Sequence, residues 1–163
     1  MLISEEIKRI SQLMEVKSVN RPDLKGEMDE IQRVTQYLNR EEGFHIKVNE
    51  LIDLFDKSTE STLSNDIWSK LENTESNEIK KGDMDSVYDV AKKYNKSNPD
   101  KLKSKFEDGS YKRPLILKFG DRYHLVAGNT RLCTAAAMGI NPKVFIGTLN
   151  TEDQMDTDNN SDK

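Results

Sequence analysis

The run from Arg113 to Leu149 constrains the fold of this chain more than any other stretch. "RPLILKF" and "RYHLVA" are apolar segments separated by "GD", a pattern typical of a β-hairpin. Gly128 follows the second segment, and "NTRLCTAAAM" after it predicts a slim helix over about Thr130 to Met138. "PKVFIGTL" then predicts a third strand. A strand pair, a helix and a further strand predict a mixed α/β (α+β) domain.

Polar residues cluster where the second predicted strand ends and the helix begins. A glycine at this point lets the backbone turn sharply, and the first amides of a helix attract anions. An arginine fork can hold a phosphate by two hydrogen bonds. We therefore expect a phosphate-binding site, with its residues drawn from the junction and the preceding strand: Gly128, Asn129, Thr130, Arg131 and His124.

Each of these residues also has a purely structural interpretation. Asn129 is among the best residues for starting a helix, and Arg131 could pair with a nearby carboxylate. His124 alternates with Tyr123 and Leu125 along its strand, so it faces away from them and could simply be hydrogen-bonded or solvated. The pattern alone leaves these alternatives open.

The stretch "RPLILKFGDRYHLVAGNTRLCTAAAMGI" resembles the core of the ParB/sulfiredoxin superfamily. Gly128 and Arg131 match the glycine and the last arginine of that family's box, and Pro114 matches the proline that leads the first hairpin strand. The resemblance covers about Arg113 to Leu149, and more loosely the chain from Asp83. It implies a small mixed sheet with helices, in which the box binds nucleotide phosphates.

Members of this superfamily share a fold but differ in the nucleotide that they bind and in the reaction that they carry out. The ligand is CTP in ParB and ATP in sulfiredoxin and the ParB-like serine kinases, and some members are described as nucleases. The "GNTRL" version of the box also resembles ParB-like proteins of bacteriophages. The resemblance therefore implies ATP or CTP, with Mg²⁺, as the expected ligand.

Two positions depart from the family pattern. Asn129 occupies the place of the ParB glutamate and of the sulfiredoxin cysteine, and an amide is neither a base nor a nucleophile. Thr130 replaces the first of two ParB arginines, which weakens the expected phosphate affinity. Cys133, one turn later, is expected to be a small buried residue. A catalytic base is therefore expected elsewhere, with Glu72, Glu75 and Glu78 as candidates.

Two functional hypotheses follow from these residues. In the first, the chain binds a nucleotide and acts on a phosphate bond, by phosphotransfer, nucleotide hydrolysis or nuclease cleavage. In the second, it is a non-catalytic nucleotide- or DNA-binding module that meets a protein partner through its N-terminal helices. The first hypothesis is the one that the sequence predicts, while the missing base and nucleophile at the junction are the features that favour the second.

Charge is distributed unevenly along the chain. The segment 92–113 carries eight basic and three acidic residues, and we expect Lys105, Lys112 and Arg113 to form a basic rim beside the proposed site. The tail 151–163 has a net charge of −4, which equals the formal charge of the whole chain. The remainder is neutral overall and lacks the broad basic charge expected of a non-specific DNA-binding protein.

The rest of the chain divides by composition. Residues 1–42 are predicted to form a helical extension, with helices over 4–16 and 27–40 that either pack on the core or project as an arm. Residues 43–150 are predicted to form the main domain, with a strand over 44–48 and helices near 83–94 and 98–108. The tail 151–163 has the composition of disorder.

Composition also limits the cellular compartments and the kinds of metal site that suit this chain. The single cysteine excludes an internal disulfide and a cysteine-based zinc site, and no metal ligands are predicted. No apolar run is long enough to span a membrane. The alternation of charged and apolar residues in "MLISEEIKRISQLMEV" argues against a secretory signal, and none is expected. A cytoplasmic protein is expected.

Overall fold

The computed structural model describes residues 22–94 and 98–150. Its centre is a five-stranded mixed sheet in the order β1-β5-β3-β4-β2. The predicted hairpin is the antiparallel pair β3–β4, and β5 runs parallel to β3. Outside these, β1 is antiparallel to β5 and β2 is parallel to β4. The strands are β1 (Glu60–Thr62), β2 (Leu71–Glu72), β3 (Leu115–Phe119), β4 (Arg122–Ala127) and β5 (Lys143–Leu149).

Six α-helices surround this sheet in the described part of the chain. Two 3₁₀ turns, Lys25–Glu27 and Ser76–Glu78, accompany them. The predicted α+β class is therefore confirmed, as are the hairpin, the helix after Gly128 and the third strand. The helices are α1 (Met28–Glu41), α2 (Val48–Asp56), α3 (Asn65–Lys70), α4 (Met84–Lys93), α5 (Pro99–Asp108) and α6 (Asn129–Met138).

Helices α1 and α2 cover one face of the sheet. Ile31 and Leu38 of α1 are fully buried in the same core cluster as Leu117 and Phe145 of the strands. Of the two arrangements left open by the sequence, α1 therefore packs on the core. The helix predicted over 4–16 lies outside the described residues.

Helix α6 covers the opposite face of the sheet. Leu132 packs against Ile116 and Leu125, while the small residues on the other sides of α6 meet two further helices. Cys133 and Ala137 pack on α4, and Ala135 packs on the aromatic residues at the end of α5. An alanine-rich sequence suits this place because α6 is enclosed on several sides and large side chains would not fit.

The strand predicted over 44–48 is wrong. Phe44 and Ile46 are buried, as the alternating pattern predicts, but the segment pairs with no strand. Instead, the amide nitrogen of Asn39 donates to the Ile46 carbonyl at 2.8 Å, and the Ile46 N–H donates to Asn39 Oδ1 at 2.9 Å. One side chain on α1 therefore supplies the hydrogen bonds that a neighbouring strand would have supplied.

Gly128 sets the geometry of the turn between β4 and α6. Its φ of 111° lies in the left-handed region that favours glycine. An added Cβ would stand 2.8 Å from the Cβ of Pro114, which immediately precedes β3. A side chain at this position is therefore excluded both by the backbone conformation and by the close approach of Pro114.

We expect Gly128→Ala to destabilise the protein by about 2–4 kcal/mol, because it adds a steric clash to an unfavourable φ. Gly43→Ala is the matched control, since Gly43 also has a positive φ (74°) but a Cβ there meets nothing within 4 Å. Urea unfolding of both variants measures the difference. Equal losses of stability would show that the Pro114 contact contributes nothing.

Candidate functional site

The Asn129 side chain links the loop after β2 to the start of α6 by hydrogen bonds. Its side-chain Oδ1 accepts hydrogen bonds from the Glu75 backbone N–H at 2.9 Å and from the Thr74 hydroxyl at 3.2 Å. The N-cap of α6 is Gly128, so the Asn129 side chain does not cap the helix. Its role in the described structure is to hold the loop 73–76 in place.

The loop held by Asn129 carries further restraints. Asn73 has a φ of 62°, a left-handed conformation that asparagine tolerates, and its side chain donates to the Leu125 carbonyl at 3.3 Å. Trp68 on α3 donates its indole N–H to the Ser76 hydroxyl at 2.7 Å. The junction and this loop therefore form one hydrogen-bonded unit.

Arg131 points from α6 toward the chain that leads into β3. Its Nη1 donates to the carbonyls of Lys112 at 3.1 Å and Arg113 at 3.4 Å, and its Nη2 donates to Glu27 Oε1 at 2.6 Å. The side chain is only 13% exposed. The guanidinium is therefore positioned by backbone oxygens and paired with a carboxylate from the N-terminal 3₁₀ turn.

Glu27 is the residue at this site that sequence reasoning missed. Its side chain is 8% exposed, and the same Oε1 that binds Arg131 lies 3.2 Å from Lys112 Nζ. Lys112 Nζ is also 3.8 Å from Asp23 Oδ2. Two cations from separate parts of the chain thus converge on one buried carboxylate oxygen. We name Glu27, Lys112 and Arg131 the cation pair site.

A cavity of about 290 Å³ borders this site. Lys112 and Asp23 belong to its lining, together with the loop 109–113 and Phe145. A group held by Lys112 could therefore extend into a space that the described residues leave empty.

The three residues of the predicted basic rim have different surroundings. Lys112 belongs to the cation pair site, as described above. Arg113 is 11% exposed, and its Nε lies 2.9 Å from Glu60 Oε2 while its guanidinium stacks over the Tyr111 ring. Lys105 is exposed on α5. Of the rim side chains, only that of Lys112 shares an ion-pair partner with Arg131, since Arg113 contacts Arg131 through its backbone carbonyl alone.

Thr130 and His124 do not join the cation pair site. Thr130 is buried in α6 at 7% exposure, and its carbonyl accepts from the Thr134 hydroxyl at 2.9 Å. His124 faces α1, where its ring stacks on that of Tyr37 with centroids 5.2 Å apart. Tyr37 is nine residues beyond the first residue of α1, roughly 14 Å along the helix from the turn that holds Glu27. The structure therefore separates His124 from the junction.

The candidate bases Glu72 and Glu75 are both held in ion pairs. Arg122 binds Glu72 by two nitrogens at 2.9 and 2.7 Å, and its hydrogen bond holds the pKa of Glu72 below the usual range. Lys93 and Tyr94 donate to Glu75, which lowers the pKa of that carboxyl too. Glu78 is exposed in the second 3₁₀ turn. A lowered pKa makes a carboxylate a weaker base, so neither paired residue is suited to proton abstraction.

Further properties of the described residues bear on cofactors and membranes. Across 22–94 and 98–150, no three histidine, cysteine, aspartate or glutamate side chains are grouped as metal ligands. Among the same residues, no helix has both the length and the apolar character needed to cross a bilayer.

Comparison with known proteins adds no relative. The chain matches no family model, no curated protein and no solved structure. The resemblance to the ParB/sulfiredoxin superfamily therefore stays a prediction from the motif.

Cys133 is expected to be unreactive in the folded protein. Burial raises the pKa of its thiol to about 12, with smaller contributions from Glu75 and Glu78. At pH 8 the thiolate fraction is then roughly a thousandfold below that of an ordinary cysteine. Alkylation by iodoacetamide, followed by mass spectrometry, should be slow in buffer and fast in denaturant. Similar rates in both conditions would contradict the buried position.

His124→Phe is expected to stabilise the protein by about 1 kcal/mol at pH 7. Nδ1 of His124 is buried without a hydrogen-bond partner in the described structure, whereas phenylalanine keeps the stacking on Tyr37 and removes this polar atom. Burial also lowers the pKa of His124. The neutral His124 side chain therefore contributes its full share to the free energy of unfolding above pH 6.5, the pKa of an unperturbed histidine. This contribution is lost as the pH falls through the lower pKa of the folded state.

The advantage of His124→Phe should accordingly grow between pH 7 and pH 5, as measured by urea unfolding at both values. The carboxylates near His124, Glu42 and Glu72, are present in both proteins, and hydrogen bonds from Arg122 are the main cause of their lowered pKa values, so both stay ionised between pH 7 and pH 5. A pH-independent difference would show that His124 is not held neutral by burial.

Proposed function

We propose that this chain is a non-catalytic nucleotide-binding module in which Arg131 and Lys112 bind a phosphate group. The observation that supports this proposal is the convergence of both cations on one oxygen of Glu27, beside a cavity of about 290 Å³. In this view Glu27 holds the place of the ligand phosphate, and the ligand displaces it.

The chemistry of the cation pair site suits a phosphate better than a carboxylate. A phosphate offers more acceptor oxygens and a larger negative charge, and an arginine with a neighbouring lysine is a common way to bind it. The Arg131 guanidinium is already oriented by two backbone carbonyls, so little conformational freedom is lost on binding. ATP and CTP, with Mg²⁺ carried by the nucleotide, are the ligands that we propose first.

The non-catalytic form is favoured by the surroundings of the possible catalytic groups. Asn129 is an amide engaged with Glu75 and Thr74. Cys133 is buried with its pKa raised to about 12, and Glu72 and Glu75 are ion-paired with lowered pKa values. None of these groups combines access to the cation pair site with the protonation state needed for a nucleophile or a base.

The test is calorimetric titration of the full chain with ATP, CTP and GTP in the presence of Mg²⁺, with the parent nucleosides as controls. Glu27→Gln removes the competing charge and keeps the shape, so it should tighten nucleotide binding about tenfold. Lys112→Gln should weaken binding by a similar factor. Lys70→Gln, an exposed lysine of α3 paired with Asp66, is the control for a general loss of positive charge.

The outcomes separate the possibilities clearly. Saturable binding that requires the phosphates and responds in opposite directions to the two variants supports the proposal. Failure of both the wild type and Glu27→Gln to bind any of the three nucleotides at millimolar concentration would rule it out. Release of phosphate or diphosphate during the titration would keep the binding site but show that the chain is an enzyme.

A further inference from the structure

One edge of the sheet is only half covered. β5 runs from Lys143 to Leu149, but its outer neighbour β1 pairs only with the first three residues, ending where Glu60 lies opposite Phe145. Among the described residues, no strand pairs with 146–149 on that side. The second half of β5 is therefore an open sheet edge.

The backbone of β5 directs specific groups to this edge. The N–H of Phe145 donates to the Pro114 carbonyl at 2.9 Å, so Phe145 points its polar backbone groups toward β3. Successive residues of a strand alternate in this direction. The N–H and C=O groups of Ile146 and Thr148 therefore point outward, where a further strand would bind.

An open groove of about 590 Å³ runs along the same edge. Its walls are residues 146–148 of β5, the segment 57–59 and the residues Glu50, Asp53 and Leu54 of α2. Leu54 lies directly over Gly147, where any side chain would overlap it. The groove thus combines unpaired backbone groups with the apolar residues Leu54 and Ile146 in its wall.

The groove has an acidic wall. α2 carries three exposed carboxylates and no basic residue. Glu50 and Asp53 line the groove and Asp56 does not, while Lys57 at the C-cap of α2 is the one basic residue of the lining. Asp53 and Asp56 also stand in the second half of α2, where the helix dipole disfavours negative charge. Positive charge from a bound partner would relieve this unfavourable arrangement.

We propose that this groove binds an extended basic peptide of another protein by strand addition. The peptide main chain pairs with Ile146 and Thr148, and its lysine or arginine side chains lie beside Glu50 and Asp53. Strand addition uses backbone hydrogen bonds for affinity and side-chain contacts for specificity. The proposal does not depend on the phosphate-binding function, because it uses different residues.

Two other occupants fit the charges less well. The tail 151–163 begins one residue beyond the end of β5 but carries a net charge of −4, so the carboxylates of the groove would repel it. A second copy of the chain would bring a second set of the same carboxylates to the contact. Charge complementarity therefore favours a basic partner.

Thr148→Pro is the decisive variant. The Thr148 N–H points away from β3, so proline there removes a donor to the added strand without breaking the sheet. Thr62→Pro is the matched control, because Thr62 lies on the outer edge of β1, away from the groove. We expect both variants to stay folded, which circular dichroism checks.

The experiment is selection of random ten-residue peptides displayed on phage against the full chain. We expect enrichment of peptides that are rich in lysine and arginine and poor in proline. Synthetic copies should lose at least tenfold in affinity with Thr148→Pro and with the double variant Glu50→Gln/Asp53→Asn, but not with Thr62→Pro. Hydrogen exchange at the Ile146 and Thr148 amides should slow when the peptide binds.

Several results would overturn the proposal. These are a lack of enrichment, enrichment of acidic or uncharged peptides, or binding that Thr148→Pro leaves unchanged. A wild-type dimer in sedimentation that Thr148→Pro dissociates would assign the edge to a second copy. Protection of the Thr148 amide that is lost when the chain is truncated after Asn150 would assign it to the tail.

Discussion

The close contact between Gly128 and Pro114 fixes the position of α6. The packing of the sheet on one side of α6, and of α4 and α5 on the other, depends on that helix. Pro114 precedes β3, so the contact ties the start of α6 to the centre of the sheet. From there α6 directs Leu132 toward the strands and its small residues toward α4 and α5. The same placement brings the Arg131 side chain against the segment 112–113, where it donates hydrogen bonds to two backbone carbonyls.

The ion pairs of the cation pair site are difficult to explain by stability alone. Moving a carboxylate and a guanidinium out of water costs several kcal/mol, which their attraction repays only when the geometry is good. A well-packed apolar pair is often at least as stable. Glu27, at 8% side-chain exposure, nevertheless satisfies two cations at once. The phosphate-binding function that we propose would account for this arrangement, because a displaceable carboxylate keeps Lys112 and Arg131 paired until the phosphate binds.

The parts of the fold that the sequence predicted are those with strong local signals. The strands and helix between Arg113 and Leu149 and the helices α4 and α5 have clear periodicity and, in places, capping residues such as Asp83, Asn98 and Gly109. β1 and β2 are only three and two residues long, too short for a pattern to reveal. The segment 44–48 has the alternation of a strand, but Asn39 supplies its hydrogen bonds, and no local pattern announces such a partner.

The candidate site was predictable only in part, because its contacts are distant in sequence. The junction glycine and arginine stand out locally, whereas Glu27 lies 104 positions from Arg131 and has no motif. The alternation of β4 correctly predicts that His124 faces away from Tyr123 and Leu125. It cannot predict that this face is covered by α1, since that depends on which helix packs where.

Unpaired polar groups occur in two settings here, with different energetic consequences. Nδ1 of His124 is buried, so no external partner can reach this atom. Its missing hydrogen bond costs about 1–3 kcal/mol. The outward groups of Ile146 and Thr148 border an open groove, where water can satisfy them. Strand addition there only exchanges water for peptide, which yields about 0.5–1.5 kcal/mol for each bond. Four such bonds do not offset the entropy lost on association, so the peptide side chains must supply the remainder. The acidic wall of α2 is the feature of the groove that can supply it selectively, which is why the predicted partner is defined by its positive charge.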